Sequence, residues 1–309
     1  MTNYEIVQFD PSDLTPEQIA ALSPLTENKY RCCLKGVHPD GVTETVPCII
    51  AALHQGSPIG LALASYVPIL RFAELHSIHV KESDDFQEIG KHLLAKLDEV
   101  LKQTGCLVIT FNYFTDTPET EALETLFASA NWKPPKTFSI HCHFLAEAFS
   151  PEWLENAPQL PDDFEIFPWT DLLPKERERL LFHQAQGVIP LEISPFNKRE
   201  KLIEPLNSLG LRHRDEVVGW MVTHRINPDR IQYSSLYIHR EFQRRAIAIR
   251  LLSESIMLQK EAQIPLAELE VNVQRVDVTW INFVKRRLIP FANKVFYTKQ
   301  TWRHLKETV

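Results

Sequence analysis

The residues best suited to hold a charged group are Gln243-Arg244-Arg245-Ala246-Ile247-Ala248. They follow an apolar run that closes at Ile238 and lead into a helical pattern carrying Leu251 and Leu252. A turn from a strand into a helix offers free backbone N–H groups and the positive end of the helix dipole, which suit a phosphate. Small side chains at Ala246 and Ala248 let the backbone approach an anion, and Arg244 and Arg245 add charge. The same stretch also reads as a solvated basic helix start. Groups able to move a proton nearby are Tyr233 and Tyr237 on the preceding strand, His224 on the strand before it, and Tyr297 near the last strand. Each is equally an ordinary packing or surface residue. Lys285-Arg286-Arg287 reads first as a solvated helix end.

The chain that must position these residues has 309 residues, 44% apolar and 24% charged. That suits about two globular domains of roughly 150 residues each. The net charge of −7 argues against a general nucleic-acid binder, which needs a surplus of Lys and Arg. No apolar run reaches the roughly 18 residues of a membrane span, and the first residues lack a secretory pattern. Five cysteines, Cys32, Cys33, Cys48, Cys106 and Cys142, all lie in the first half. An odd count suits free thiols in a reducing cytoplasm better than a disulfide framework. Cys32-Cys33 near His38, and His141-Cys142-His143, raise zinc, but neither has the paired spacing of a structural site. No metal is expected.

The halves share one pattern. Glu74–Val80 matches Gln232–Ile238, and Glu88–Leu94 matches Ala246–Leu252, each 158 residues apart. In the first half, periodicity and breakers predict strands over Tyr4–Phe9, Pro47–His54, Pro58–Val67, Phe72–Val80, Cys106–Tyr113 and Lys136–Leu145. Helices are predicted over Thr15–Tyr30, Phe86–Gln103 and Pro118–Ala130, the first with Thr15 and Gln18 as a capping box. In the second half, strands are predicted over Phe164–Trp169, Glu216–Ile226, Arg230–Ile238, Leu266–Val273 and Asn293–Trp302. Helices fall near Lys175–Gln186, Gln243–Ala262 and Val278–Arg287. The expected fold class is α/β (α+β), with two tandem domains, each a mixed, mostly antiparallel sheet flanked by helices. The boundaries are 1–149 and 164–309, with the proline-bearing segment 150–163 as linker.

The segment 243–248 resembles the acetyl-CoA pyrophosphate loop of the GNAT superfamily, whose pattern is Q/R-x-x-G-x-G/A; Ala246 stands where the first glycine is usual. Glu241-Phe242 before it and Leu251-Leu252 after it also fit. The resemblance implies an acyl-CoA-dependent N-acyltransferase acting on a small-molecule amine. Acetyl-CoA or CoA would be the co-substrate, held by Ile238, Gln243, Arg244, Arg245, Ala246, Ile247 and Ala248. The matching first-half loop, Asp85-Phe86-Gln87-Glu88-Ile89-Gly90, is acidic and repels a pyrophosphate. The tyrosine that such enzymes use to protonate the thiolate falls at Phe127 and Phe283, and an asparagine that touches CoA falls at Thr120 and Val276. A family glutamate base matches Glu74 in the first half and Gln232 in the second. Glu74 and Tyr237 are therefore the candidates for chemistry. The resemblance to tandem members implies one active and one structural domain, a monomer built as an internal pseudo-dimer. Two other functions stay open: a non-catalytic pair that binds acyl-CoA or a metabolite, and a structural pseudo-dimer without CoA affinity.

Overall fold

The computed structural model describes residues 4–39, 44–81, 85–243 and 246–305. They form two compact units, one of Met1–Phe138 with Tyr297–Val309 and one of Ser139–Phe296. No described helix is long and apolar enough to cross a membrane.

The first unit runs β1 (Glu5–Phe9), α1 (Pro16–Leu22), β2 (Val46–His54), β3 (Ser57–Val67), β4 (Phe72–Val80), α2 (Phe86–Gln103), β5 (Val108–Phe114) and α3 (Thr120–Ser129). The capping box forms as its residues demand: Gln18 N donates to Thr15 Oγ1 at 3.3 Å, and Thr15 N to Gln18 Oε1 at 2.9 Å. The expected helix stops at Leu22, and 3-10 turns take over through Pro24. Proline lacks the N–H that an α-helix interior requires. β1 to β4 pair antiparallel in order, and β4 pairs β5 in parallel. Alternation sends Ile49, Ala51, Leu61 and Leu63 to the α1 face and Ile50, Ala52, Ala62 and Ala64 to the α2 face. With both faces covered, β2 and β3 read as nearly continuous apolar runs. Helix α2 buries Ile89, Leu93, Leu94, Leu97 and Leu101 along one stripe.

The strand β6 (Lys136–Leu145) leads into the second unit. There follow α4 (Glu152–Glu155), β7 (Phe164–Pro168), α5 (Pro174–Ala185), β8 (Leu209–His213), β9 (Glu216–Asn227), β10 (Arg230–Ile238), α6 (Ile247–Glu261), β11 (Leu266–Asn272), α7 (Val278–Phe283) and β12 (Lys294–His304). β7 to β10 pair antiparallel in order, and β10 pairs β11 in parallel. Trp169, Leu180, Ile189, Trp220 and Val222 form the core on the α5 face. Strand β8 was not expected; it forms a hairpin with β9 over Arg214, which takes a left-handed φ of 55°. The expected helix Val278–Arg287 is α-helical only to Phe283 and continues as a π turn over Val284–Leu288.

The units are not the continuous halves 1–149 and 164–309. Residues Thr298–His304 of β12 pair antiparallel with β5 in the first unit. Residues Ser139–Leu145 of β6 pair antiparallel with β11 in the second. Each half thus ends in a strand that completes the unit of the other half. The segment 150–163 is more ordered than a linker: it carries α4, and Leu154 is buried. Just before it, Phe149 is also buried, and Lys260 Nζ donates to its carbonyl at 2.8 Å.

Candidate functional site

The N-terminus of α6 begins with Ala246, whose φ of 55° and ψ of 10° are left-handed. An alanine there is strained by roughly 1–2 kcal/mol, a cost a glycine avoids. The backbone therefore has the shape a glycine loop takes, with one extra methyl. Among the described residues no side chain caps this end of the helix. Before it, Gln243 Nε2 donates to Ile238 O at 3.0 Å, tying the loop to the end of β10. Ile247 is buried against the sheet, while Ala248 is half-buried. Arg244 and Arg245 lie outside the described residues.

The N-terminus of α2 is built differently. Asp85 is its N-cap, and its Oδ1 accepts from Glu88 N at 2.9 Å. The position that would receive an external anion holds the chain's own carboxylate. The first turn of α2 also closes on α3. Gln87 Nε2 donates to Ala122 O at 2.8 Å, and a Cβ at Gly90 would lie 2.8 Å from Leu126 Cδ2. Leu126 and Phe127 are buried in that contact. In the second unit no residue of α7 is buried, and among the described residues no hydrogen bond joins α6 to α7. Phe283 instead stacks on Trp280 at 5.2 Å and lies 5.9 Å from Trp153.

Both units open their sheets at the same place. β10 pairs β11 only from Arg230 to Tyr233, although β10 continues to Ile238. β4 pairs β5 only from Phe72 to Leu75, although β4 continues to Val80. Beyond that point the parallel ladder between the two strands ends. Each splay starts beside a bulge, at Ser234 in β10 and at His76 in β4.

Tyr237 stands past the bulge, its ring stacked 4.4 Å from Trp220. Burial pushes its hydroxyl above the ordinary tyrosine range, so it stays protonated and able to donate. Glu74 is half-buried on β4, within 3.5 Å of Asn112 Nδ2. It stands in the first unit and Tyr237 in the second, so the two are not members of one unit. Tyr233 is directed away from the splay: its hydroxyl, fully buried, donates to Gln259 Oε1 at 2.7 Å. Tyr297 belongs to the first unit, where its carbonyl accepts from Thr115 N. Phe127 and Phe283 carry no hydroxyl into either unit. Ser234 is the residue that sequence reasoning missed. The signal available was the alignment of Gln232–Ile238 with Glu74–Val80, which sets Ser234 opposite His76. The cysteines are free thiols, and burial pushes Cys142 up to about 11.

No family model matches the sequence, and no curated protein matches it. Solved structures do. A tandem GNAT protein from the clavulanic acid biosynthesis pathway aligns over 99% of this chain and 100% of its own, at 13% identity and a TM-score of 0.56. A GCN5-related N-acetyltransferase from Sphaerobacter thermophilus aligns over 98% and 97%, at 14% identity and a TM-score of 0.55. A GCN5-related glucosamine N-acetyltransferase region in a fungal multi-domain GH3 beta-N-acetylglucosaminidase aligns over 98% of this chain and 38% of that one, at 13% identity and a TM-score of 0.65. At such identity the likeness is one of fold: two GNAT-type units in one chain.

Proposed function

We propose that the protein is an acyl-CoA-dependent N-acyltransferase for a small-molecule amine, with acetyl-CoA bound at the second unit. The observation that carries this reading is the contrast between the two helix N-termini. α2 is capped by Asp85 and closed on α3, whereas α6 is uncapped and starts from a left-handed Ala246. Free amides at the start of α6 suit a pyrophosphate, with Gln243, Arg244, Arg245, Ala246, Ile247 and Ala248 around it. Ile238 and the splayed end of β10 would receive the thioester, whose carbonyl is polarised by backbone N–H groups. Tyr237 is the candidate acid for the departing thiolate. Glu74, in the unit with the capped helix, has no part in this scheme. The chain would act as a cytoplasmic monomer, an internal pseudo-dimer with one working unit.

The absence of a hydroxyl at Phe127 and Phe283 favours a second reading, a protein that binds acyl-CoA without turning it over. Calorimetric titration of acetyl-CoA and CoA tests what both share. Micromolar binding is expected for the wild type, and its loss in an Arg244→Glu/Arg245→Glu variant. Absence of wild-type binding up to about 1 mM, equivalent to about −4 kcal/mol, would overturn both readings. Binding that survives the double variant would move the site away from α6.

A further inference from the structure

The two bulges carry the same pair of side chains with their places exchanged. In the first unit the bulge residue is His76, and its Nε2 lies 2.8 Å from Ser65 Oγ on β3. In the second unit the bulge residue is Ser234, and its Oγ lies 2.7 Å from His224 Nδ1 on β9. The pair in the first unit is buried, with Tyr30 stacked 5.3 Å from His76 and His38 edge-on at 5.4 Å. In the second unit the serine is exposed and the histidine is only 4% exposed behind it. The transposition presents a hydroxyl at the mouth of the splay and hides the base that can take its proton.

The face is the one used by Tyr237. Trp220 stacks on Tyr237, and its Nε1 donates to Ser235 Oγ at 2.9 Å. His224 lies four residues along β9 from Trp220 and so points to the same side. Ile203 bridges the backbone of His224 and helps cover it. Ser234 is the first residue of β10 after its pairing with β11 stops.

We propose that Ser234 is the group that takes the proton from the acceptor amine, with His224 as the base behind it. The inference rests on the acyltransferase reading. The acceptor enters as its ammonium ion. One of its protons passes to Ser234 Oγ while the serine proton passes to His224 Nδ1. The freed nitrogen forms a bond to the acyl carbon as the C–S bond breaks, and the thiolate takes the second nitrogen proton by way of Tyr237. The imidazolium later passes its proton through the same hydroxyl to solvent. Ser234 Oγ also lies 3.3 Å from the Gln232 carbonyl, a weaker acceptor that lets the hydroxyl turn away from the histidine.

The surroundings of His224 suit a resting neutral base. Burial holds its imidazole below the usual histidine range, and the charge of Arg199, on the covering segment, lowers it further. The Arg199 backbone beside the ring acts the other way and favours the imidazolium. Nε2 itself is buried without a hydrogen-bond partner among the described residues. Along β9, Arg225 is engaged by Glu204 at 2.6 Å, and across on β10 Gln232 is neutral.

The test uses the full chain and its Ser234→Ala, His224→Ala and His224→Gln variants. Acetyl-CoA affinity is read by calorimetry, and thiol release from acetyl-CoA is read with a panel of primary amines from pH 6 to 9.5. All variants should bind acetyl-CoA within about twofold of wild type, with unchanged melting curves for Ser234→Ala and His224→Gln. Amine-dependent release should fall roughly 100-fold at pH 7, within the range for loss of a proton acceptor. The wild-type profile should be flat above about pH 7. The variant profiles should rise tenfold per pH unit towards the amine's own pKa. The amide introduced by His224→Gln would still hydrogen-bond Ser234, so a purely structural role predicts recovery in that variant, with the wild-type profile. That recovery would overturn the proposal. So would a wild type that binds acetyl-CoA yet releases no thiol with any amine, leaving CoA binding intact. A wild type that does not bind acetyl-CoA would overturn the acyltransferase reading itself.

Discussion

The helices α2 and α6 start at matching points of two similar sheets, yet one N-terminus is finished by the chain and the other is left open. Asp85 satisfies an amide of α2, and Gln87 and Leu126 seal its first turn to α3. α6 begins on a strained alanine without a side-chain cap among the described residues, and the six-residue α7 holds no fully buried side chain. Both units keep the splay between their parallel strands. The sheets alone therefore do not distinguish the two units. What separates the units is a carboxylate at one helix end and one leucine between two helices.

The largest effect tests the sealed side. Leu126 is fully buried, and Leu126→Ala should cost about 2–5 kcal/mol in urea unfolding, from lost transfer energy and the cavity left behind. An α3 that packs as loosely as α7 would lose much less, and the contrast between the units would fail. The next effect transfers the charge. Ala246→Asp puts a carboxylate at the start of α6 in a residue type that tolerates left-handed backbone. Repulsion of a pyrophosphate about 5 Å away, at an effective dielectric near 20, amounts to about 3 kcal/mol. Acetyl-CoA affinity should therefore drop by roughly 100-fold in calorimetry. The smallest effect is the reverse change. Asp85→Ala should lower stability by about 1 kcal/mol through the lost cap, read by thermal or urea melts. It should leave CoA affinity unchanged, because the Gln87–Ala122 hydrogen bond still closes that turn. A new CoA site in Asp85→Ala would show that charge alone had silenced the first unit.

Much of this contrast was legible in the residues. The 158-residue repeat placed β4 with β10 and α2 with α6, and the acidic Asp85–Glu88 loop set the start of α2 apart from that of α6. Ala246 in a glycine's place was legible as a type, and its left-handed φ follows from the loop it must make. The closure of α2 on α3 was not legible, since Gly90 and Leu126 meet only through tertiary packing. The Ser234–His224 pair was hidden for a related reason. A bulge shifts one strand by a residue against its partner, so alternation along either strand alone does not say which side chains meet. The split of the helix after Phe283 also carried no breaker, as Val284-Lys285-Arg286-Arg287 are all acceptable helix residues.

The exchanged final strands have a consequence for how the chain is made. β5 is completed by β12, and Thr115 reaches the carbonyl of Tyr297, 182 residues further on. Ribosomes add roughly 5–20 residues per second, so on the order of ten seconds or more separates these two partners at birth. Through that interval β5 is a nascent sheet edge with unpaired amides, open to a neighbouring chain or a chaperone. The unit that begins translation first is therefore the one that finishes folding only after the other has emerged.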